Sequence, residues 1–245
     1  MSLSTGIAIA TLRTRKLSRA VRHRSYLRAL RRGVLASTEN EDAKLSRGFA
    51  TVLDVGANRG QFAVFARQNW PGARLVCFEP LAEAACRIRE VVDGPVEVHE
   101  VGVGAAPAVS TLHIAGRDDS SSLREIGRQA EEFPGTASTG SREVPVVTLA
   151  DHLDDDVARP VLLKIDAQGC EMDVLRGAGD GLDRVDEILC ECSFVELYTG
   201  QALAGAIVAH LVERGFVLAH VSGMLLSAAG RPLQAEFTFR RAVMA

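Results

Sequence analysis

From residue 51 onward, short β-branched runs alternate with helical stretches of about ten residues, and no other feature constrains the fold as tightly. TVLDV (51–55) leads into a helical stretch over 60–70, RLVCFE (74–79) into one over 81–92, and VEVHEV (96–101) follows. The pattern resumes with EVPVVTL (143–149), VLLKID (161–166), a helix from about 171, DEILCECSF (186–194) and a helix over 201–214. It closes with GFVLAHV (215–221) and AEFTFRR (235–241). Strands alternating with such helices build βαβ units, which predicts a mostly parallel α/β sheet with helices on both faces. No helix separates the last two runs, so they are expected to form an antiparallel hairpin at one end of the sheet. The interruption over 102–142 is rich in Gly, Ser and Pro and carries the hairpin-like TLHIA (111–115). A long loop inside a compact α/β domain is usually functional, and this one reads as a lid-like insertion.

Charge bears on partners. The formal charge of −3 averages two unlike pieces. Residues 1–33 hold nine of the 28 Lys and Arg and no acid, leaving 19 basic against 31 acidic side chains, net −12, in the other 212 residues. An acidic body argues against nucleic acid as partner, because phosphate binding needs a basic face. The division predicts a basic N-terminal arm, helical or partly disordered, over 1–48 and a catalytic domain over 49–245. The arm is open to three readings: a solvated helix or tail, an organellar transit peptide, or an interfacial membrane helix. For the last, Leu17, Val21, Leu27, Leu30 and Val34 recur at loose helical spacing among arginines. Five cysteines, an odd number without a C-x-x-C pair or zinc spacing, fit a reducing compartment. Cys190 and Cys192, two apart, would share a buried strand face. No stretch has the ~18 continuous apolar residues of a membrane span, so the expected location is cytoplasmic, peripheral at the inner membrane face if the arm binds lipid.

The most informative segment is Asp54-Val55-Gly56-Ala57-Asn58-Arg59-Gly60, where the first strand passes into its helix. Gly56 and Gly60 permit a tight turn and a close backbone approach to a ligand, and Asn58 between them tolerates the left-handed conformation. This is not the G-x-G-x-x-G spacing that seats a pyrophosphate on a helix N-terminus. Asp54, two residues ahead of the first glycine, would repel pyrophosphate but could organise an ammonium group, directly or through water. Glu79, 25 residues on, ends the second strand, where an acid takes the ribose hydroxyls of a nucleoside in doubly wound folds. An acid for an amino group, a glycine turn and an acid for a ribose describe S-adenosylmethionine better than NAD. Ala57 and Pro80 flank these groups, and Val103 beyond the third strand completes the expected cofactor set.

These residues carry a resemblance. TVLDVGANRGQFA (51–63), CFEP (77–80), VPVVTLADHL (144–153), LLKIDAQGCEMDVLRGA (162–178), ECSFVELYTGQ (191–201) and GF (215–216) resemble the FkbM family of S-adenosylmethionine-dependent methyltransferases. KID-x-QG-x-E is the most distinctive signature. The resemblance implies a seven-stranded Rossmann-like methyltransferase sheet and methyl transfer to oxygen. Sugar hydroxyls of glycolipids or glycans, or hydroxyls of polyketide-type metabolites, are the acceptors it implies, some of them lipid-linked. It places Asp166 and Glu171 at the active-site mouth. Ala150, Cys170 and Glu236 depart from the family's usual residues.

The chemistry of such a transfer singles out further residues. An alcohol is a poor nucleophile until its proton leaves; a carboxylate can accept that proton as the new bond forms. Asp166 ends the fourth parallel strand, where ligands of open α/β sheets bind, and is the candidate base. Lys164, two residues earlier, should share its face, as a catalytic partner or as half of a structural ion pair. Gln168 and Gly169 would form the turn, with Glu171 in the first helical turn. An Mg²⁺ ion held by Asp166 and Glu191 is the other route, although two acids do not define a metal site. Ser121 and Ser122 in the insertion, with Asp118, Asp119 and Ser120 nearby, are candidates for the acceptor wall, together with Gln168, Glu191 and Tyr198. His152 is the alternative base. Two further readings stay open: a catalytically silent module that binds the cofactor, and, against the glycine spacing, an NAD-dependent oxidoreductase.

Overall fold

The computed structural model describes residues 23–242. The main sheet uses β1 (Thr51–Val55), β2 (Arg74–Phe78), β3 (Glu97–His99), β7 (Val161–Ile165), β8 (Glu187–Ser193), β9 (Phe216–Leu226) and β10 (Pro232–Arg241). Their order is β3-β2-β1-β7-β8-β10-β9. All neighbours from β3 to β8 run parallel, and β10 runs antiparallel to both β8 and β9. The expected terminal hairpin is therefore present, with its second strand slotted between its first and the parallel sheet. β1 and β7 are buried along their whole length. That is why both read as near-continuous apolar runs rather than as alternation.

Register decides what each face carries. β1 and β7 pair Val52 with Leu162 and Asp54 with Lys164. One face thus presents Val52, Leu75, Cys77, Leu162 and Leu189, packed beneath α1 (Arg24–Arg31) and α2 (Gln61–Asn69). The other presents Leu53, Val55, Leu163, Ile165, Ile188, Cys190 and Cys192 under α5 (Glu171–Ala178) and α6 (Ala204–Glu213). The paired cysteines do share a buried strand face. At its C-terminal end the first face gives up its apolar character: Asp54, Lys164 and Glu191 follow Val52, Leu162 and Leu189 by two residues, Asp166 follows Lys164 just past β7, and Glu236 pairs with Glu191.

Two stretches differ from expectation. The segment read as a long loop over 102–142 is mostly a three-stranded sheet of β4 (Gly102–Val103), β6 (Ser138–Val147) and β5 (Ala108–Ala115), in the order β4-β6-β5. Of the 143–149 run, residues 143–147 belong to this sheet and not to the main one, and Leu149 opens the 3-10 turn Leu149–His152. In β6 only Val144 and Val146 are buried, one face of a strand whose other face meets water, so it does not fit a parallel sheet covered on both sides. Leu112 and Val144 pack with Leu81 and Ala84 of α3 (Ala82–Val91) and its entrance, tying the small sheet to the main one. α4 (Gln129–Glu132) is a single turn between its strands.

The second is the arm, whose described part is helical over Arg24–Arg31, as one reading has it, but does not stand apart from the body. Its first 22 residues, with Leu17 and Val21, lie outside the described residues. The rest packs onto the body: Tyr26, Ala29, Val34, Ala36 and Ala43 are buried against α2 and the sheet. Arg28 pairs with Asp93, and Arg32 donates to the Glu90 carbonyl. Among the described residues, no helix is long and apolar enough to cross a membrane.

Candidate active site

The chain turns three times at the C-terminal edge of the sheet, after β1, β2 and β7, and the turns meet. In the first, Gly56 (φ +74°), Asn58 (φ +47°) and Gly60 (φ +90°) are all left-handed. A Cβ on Gly56 would stand 1.9 Å from the Asp166 carbonyl oxygen, so the turns after β1 and β7 touch there, and only glycine fits. The Gly56 and Ala57 N–H groups donate to the Phe78 carbonyl, each at 3.1 Å, which joins the second turn to the first. Gly60 does not line the cavity described below; it lets α2 start and stacks on Ile88.

Glu79 completes the second turn. Its carboxylate accepts the Asn58 N–H at 2.8 Å and the Leu81 N–H at 2.9 Å, so one side chain pins the glycine turn and the entrance of α3 together. Burial pushes the Glu79 carboxyl up to about 7, against the pull of those two N–H groups; the Asp54 charge adds to the rise.

Beneath the first turn, Asp54 and Lys164 face each other as their register requires. Lys164 Nζ lies 3.2 Å from Asp54 Oδ1 and 3.6 Å from Asp166 Oδ2, and it donates to the Gly56 carbonyl at 3.3 Å. Burial alone would lower the Lys164 pKa; Asp54, Asp166 and Glu236 outweigh it and hold the ammonium above its usual range. Burial likewise raises Asp54 against the pull of Lys164. The expectation that Asp54 touches a ligand's ammonium directly is corrected on this point. Its carboxylate is buried behind the turn, off the cavity wall, and the ammonium beside it is the chain's own.

The third turn is KID-x-QG itself. Gln168 (φ +49°) and Gly169 (φ +95°) reverse the chain, and the Gln168 amide becomes a hub. Its Nε2 donates to Asp166 Oδ1 at 2.5 Å and to Glu191 Oε2 at 3.3 Å, while its Oε1 accepts the Tyr198 hydroxyl at 2.5 Å. The Ser122 hydroxyl donates to the Gln168 backbone carbonyl at 2.6 Å. Two acids expected as an Mg²⁺ pair are therefore bridged by an amide, which occupies the place between them. Among the described residues they gather no third ligating side chain.

A cavity of about 260 Å³ opens where the three turns meet. Of the expected residues, Gly56, Ala57, Asn58, Glu79, Pro80 and Val103 line one part of it. Lys164, Asp166, Gln168, Ser121 and Ser122, with Asp119 beside them, line another. The Asp118 side chain lies outside the described set. Glu171, Glu191 and Tyr198 do not reach the wall. Glu171 is buried and turns inward, Oε1 accepting the Ala167 N–H at 3.1 Å and the Gly169 N–H at 3.0 Å, so it holds the third turn in shape. Burial pushes it up to about 7. Glu191, raised by burial and by the neighbouring Asp166, Glu236 and Glu171 charges, and Tyr198, raised by burial, support Gln168 from behind. His152 is not on the wall either; it packs edge-on against Phe78, 4.8 Å between ring centres.

Sequence reasoning missed one side altogether. Leu35, Ser37, Glu39 and Asn40, assigned to the arm, line the cavity, as does Glu236 from β10. The signal lay in the small-residue run Ala36-Ser37-Thr38 between the basic stretch and β1, where alternate residues are buried. The wall's charge is one-sided as a result: Glu39, Glu79, Asp119, Asp166 and Glu236 against Lys164. Such a wall disfavours a pyrophosphate and favours a ligand that carries positive charge. The backbone approach at Gly56, the ribose-type carboxylate of Glu79 and this acidic wall together fit a nucleoside with a cationic tail.

Comparisons with known proteins agree with that chemistry. The methyltransferase FkbM domain matches residues 54–218. A 2-O-methyltransferase, NoeI, of Sinorhizobium fredii is 31% identical over 167 residues, 64% of this chain and 68% of its own length. The 31-O-demethyl-FK506 methyltransferase FkbM of Streptomyces tacrolimicus is 28% identical over 181 residues, 62% of this chain and 69% of that protein. The crystal structure of methyltransferase FkbM from Methylobacillus flagellatus superposes with a TM-score of 0.49 at 15% identity. It covers 82% of this chain, which spans 46% of that one.

Proposed function

The chain belongs to the FkbM family of S-adenosylmethionine-dependent methyltransferases, and we propose that it methylates a hydroxyl oxygen of a sugar, glycolipid or polyketide-type acceptor. The observation that carries this reading is the acidic cavity in which the nucleoside-type wall around Glu79 and the candidate base Asp166 meet. Relatives whose names specify methylation on oxygen support the atom methylated. S-adenosylmethionine supplies an electrophilic methyl group on a sulfonium, open to in-line displacement by an oxygen.

This chain's residues divide the remaining work. Glu79 would accept the ribose hydroxyls, and the backbone of 56–58 would lie along the nucleoside, with Phe78, Val103 and Leu112 against its base. Asp166, on the wall and partly open to solvent, accepts the acceptor's proton as the new oxygen–carbon bond forms. Gln168, itself fixed by Tyr198 and Glu191, holds the Asp166 carboxylate in one orientation. Holding the acceptor oxygen ready for in-line attack, with the base within reach of its proton, is worth up to several kcal/mol of barrier. Ser121 and Asp119 offer hydroxyl and carboxylate partners to the acceptor. Ser122, whose proton goes to the Gln168 carbonyl, shapes the wall beside them, and the small sheet acts as the lid that carries them.

Methyl-labelled S-adenosylmethionine incubated with cell extract, followed by separation of lipid from soluble products, tests the proposal. Label should appear in alkali-stable ethers, and Asp166→Ala should lose turnover while keeping affinity for S-adenosylhomocysteine. Label confined to nitrogen or absent from every fraction contradicts it. For the arm, binding at an anionic membrane rests on its charge, and truncation of residues 1–22 should lower binding to anionic vesicles. Equal binding removes that part.

A further inference from the structure

A second cluster of chemistry-bearing side chains lies outside the cavity, on the far side of Phe78. Glu97 and His99 stand two apart on β3 and so share a face, and His152 reaches them from the 3-10 turn Leu149–His152. One ligating atom from each lies within 4.8 Å of the other two. His99 Nε2 and Glu97 Oε1 are 2.8 Å apart, and the two imidazole rings meet edge to face with centres 4.6 Å apart. None of the three lines the cavity.

The rings are held before any ligand arrives. Phe78 stacks on His99 with 15° between planes and 5.1 Å between centres, and it takes His152 edge-on at 77°. Arg74 donates to Glu97 Oε2 at 2.8 Å, which orients the carboxylate and leaves Oε1 turned to His99. The His99 carbonyl accepts the Glu79 N–H at 3.0 Å, so β3 is anchored at the cofactor turn. A ligand set oriented by stacking and by an outer hydrogen bond is what metal sites in proteins use to fix their geometry.

We propose that Glu97, His99 and His152 form a binding site for a divalent transition-metal ion of the zinc class. Two imidazoles and one carboxylate suit Zn²⁺, Fe²⁺, Ni²⁺ or Cu²⁺ and not Mg²⁺ or Ca²⁺, whose ligands are oxygens. Zinc bonds of ~2.0–2.2 Å in a tetrahedron set ligand atoms about 3.3 Å apart, a small opening of the 2.8 Å contact now present. Three protein ligands leave the fourth position to water. The ion would tie the edge strand β3 to the 149–152 turn behind Phe78, whose other side lines the cavity. Its role is a structural clamp on the cofactor wall, apart from the methyl-transfer chemistry.

Titration of Co²⁺ into the chelator-treated full chain at pH 7.5 tests the site through the ion's visible ligand-field absorption, with Zn²⁺ as competitor. One equivalent of Co²⁺ should develop the absorption, and one equivalent of Zn²⁺ should abolish it. His152→Ala should weaken binding by more than the about 10–100-fold that loss of an outer partner costs. Glu97→Gln, a milder change that keeps the Arg74 contact, should weaken it as well and guards against a His152 variant that fails to fold. No absorption in the wild type, or equal affinity in wild type and both folded variants, overturns the proposal.

Discussion

The Asp54–Lys164 pair offers the sharpest perturbation. Lys164→Met keeps the length of the side chain while deleting the charge and with it the ammonium's contact over the Phe62 ring, whose centre lies 5.8 Å from Nζ. Asp54 is then buried at 1% exposure without its cation, and neither of its oxygens has a hydrogen bond to fall back on. Asp166 keeps solvent contact, so the cost falls on Asp54. Breaking one partner out of a buried pair costs about 3–5 kcal/mol. For a domain stable by about 5–15 kcal/mol, that is a large fraction, equivalent to a drop in Tm of about 6–20 °C at this size. The double variant Asp54→Asn/Lys164→Met buries no net charge and should recover at least about half of the loss, because removing both ions is often near neutral. The pH dependence has a definite sign. A carboxyl whose folded pKa is raised favours folding while protonated, and the benefit is lost as pH rises. The Lys164→Met deficit should therefore shrink between pH 7.5 and pH 5.5. Urea unfolding followed by circular dichroism at both pH values measures Lys164→Met, Asp54→Asn and the double variant. A single-variant loss below about 1 kcal/mol, or a double variant equal to the sum of the singles, refutes a buried ion pair beneath the cofactor turn.

Three other outcomes follow from the same geometry. Gly56→Ala should fail to bind S-adenosylhomocysteine and lose stability by well over the ~1–2 kcal/mol of left-handed strain alone, since its Cβ meets a backbone oxygen at 1.9 Å; thermal melts with and without ligand read both. Glu79, with a pKa of about 7 against an ordinary 4.5, contributes stability at low pH that is lost as pH rises through about 7, whereas the proposed ribose contact needs its anion. Calorimetric affinity for S-adenosylhomocysteine should thus rise nearly tenfold per pH unit below 7 and level off above it, and Glu79→Gln should be flat; a sloping profile in that variant assigns the titration elsewhere. Tyr198→Phe leaves Gln168 Oε1 without its donor, which should cost about 1–3 kcal/mol of stability and slow methyl transfer about fivefold or more while sparing cofactor affinity.

Which parts of this molecule could be read from its letters follows from the range of the interactions involved. β1 and β7 are legible because strands buried on both faces spell continuous apolar runs. The turn after β1 is legible because three left-handed residues in five leave few alternatives to Gly and Asn. Lys164 and Asp166 sharing a face follows from period two alone. Side-chain direction at a turn does not: Glu171 sits where the sequence puts it, yet spends its carboxylate on the backbone of its own turn. Tyr198 and Glu191 reach the site through Gln168, a contact across 23 to 30 residues that no spacing announces. The boundary drawn at the charge asymmetry was also misleading for function, because Leu35 to Asn40 close the cavity by packing over a face built from residues 52 to 189. β6 buries only Val144 and Val146, and its β5 partners lie 23 to 38 residues away, so its first half reads as loop and its second as strand.

One titration tests the proposed cofactor seat most directly: S-adenosylhomocysteine into wild type, Glu79→Ala and Asp166→Ala at pH 8. The wild type should bind one equivalent. Glu79→Ala should weaken binding by about 10–100-fold, the worth of one hydrogen bond to a charged group, and Asp166→Ala should leave it within about threefold while abolishing turnover. No binding to the wild type, or equal affinity in Glu79→Ala, contradicts a cofactor seated on Glu79 beside an Asp166 base.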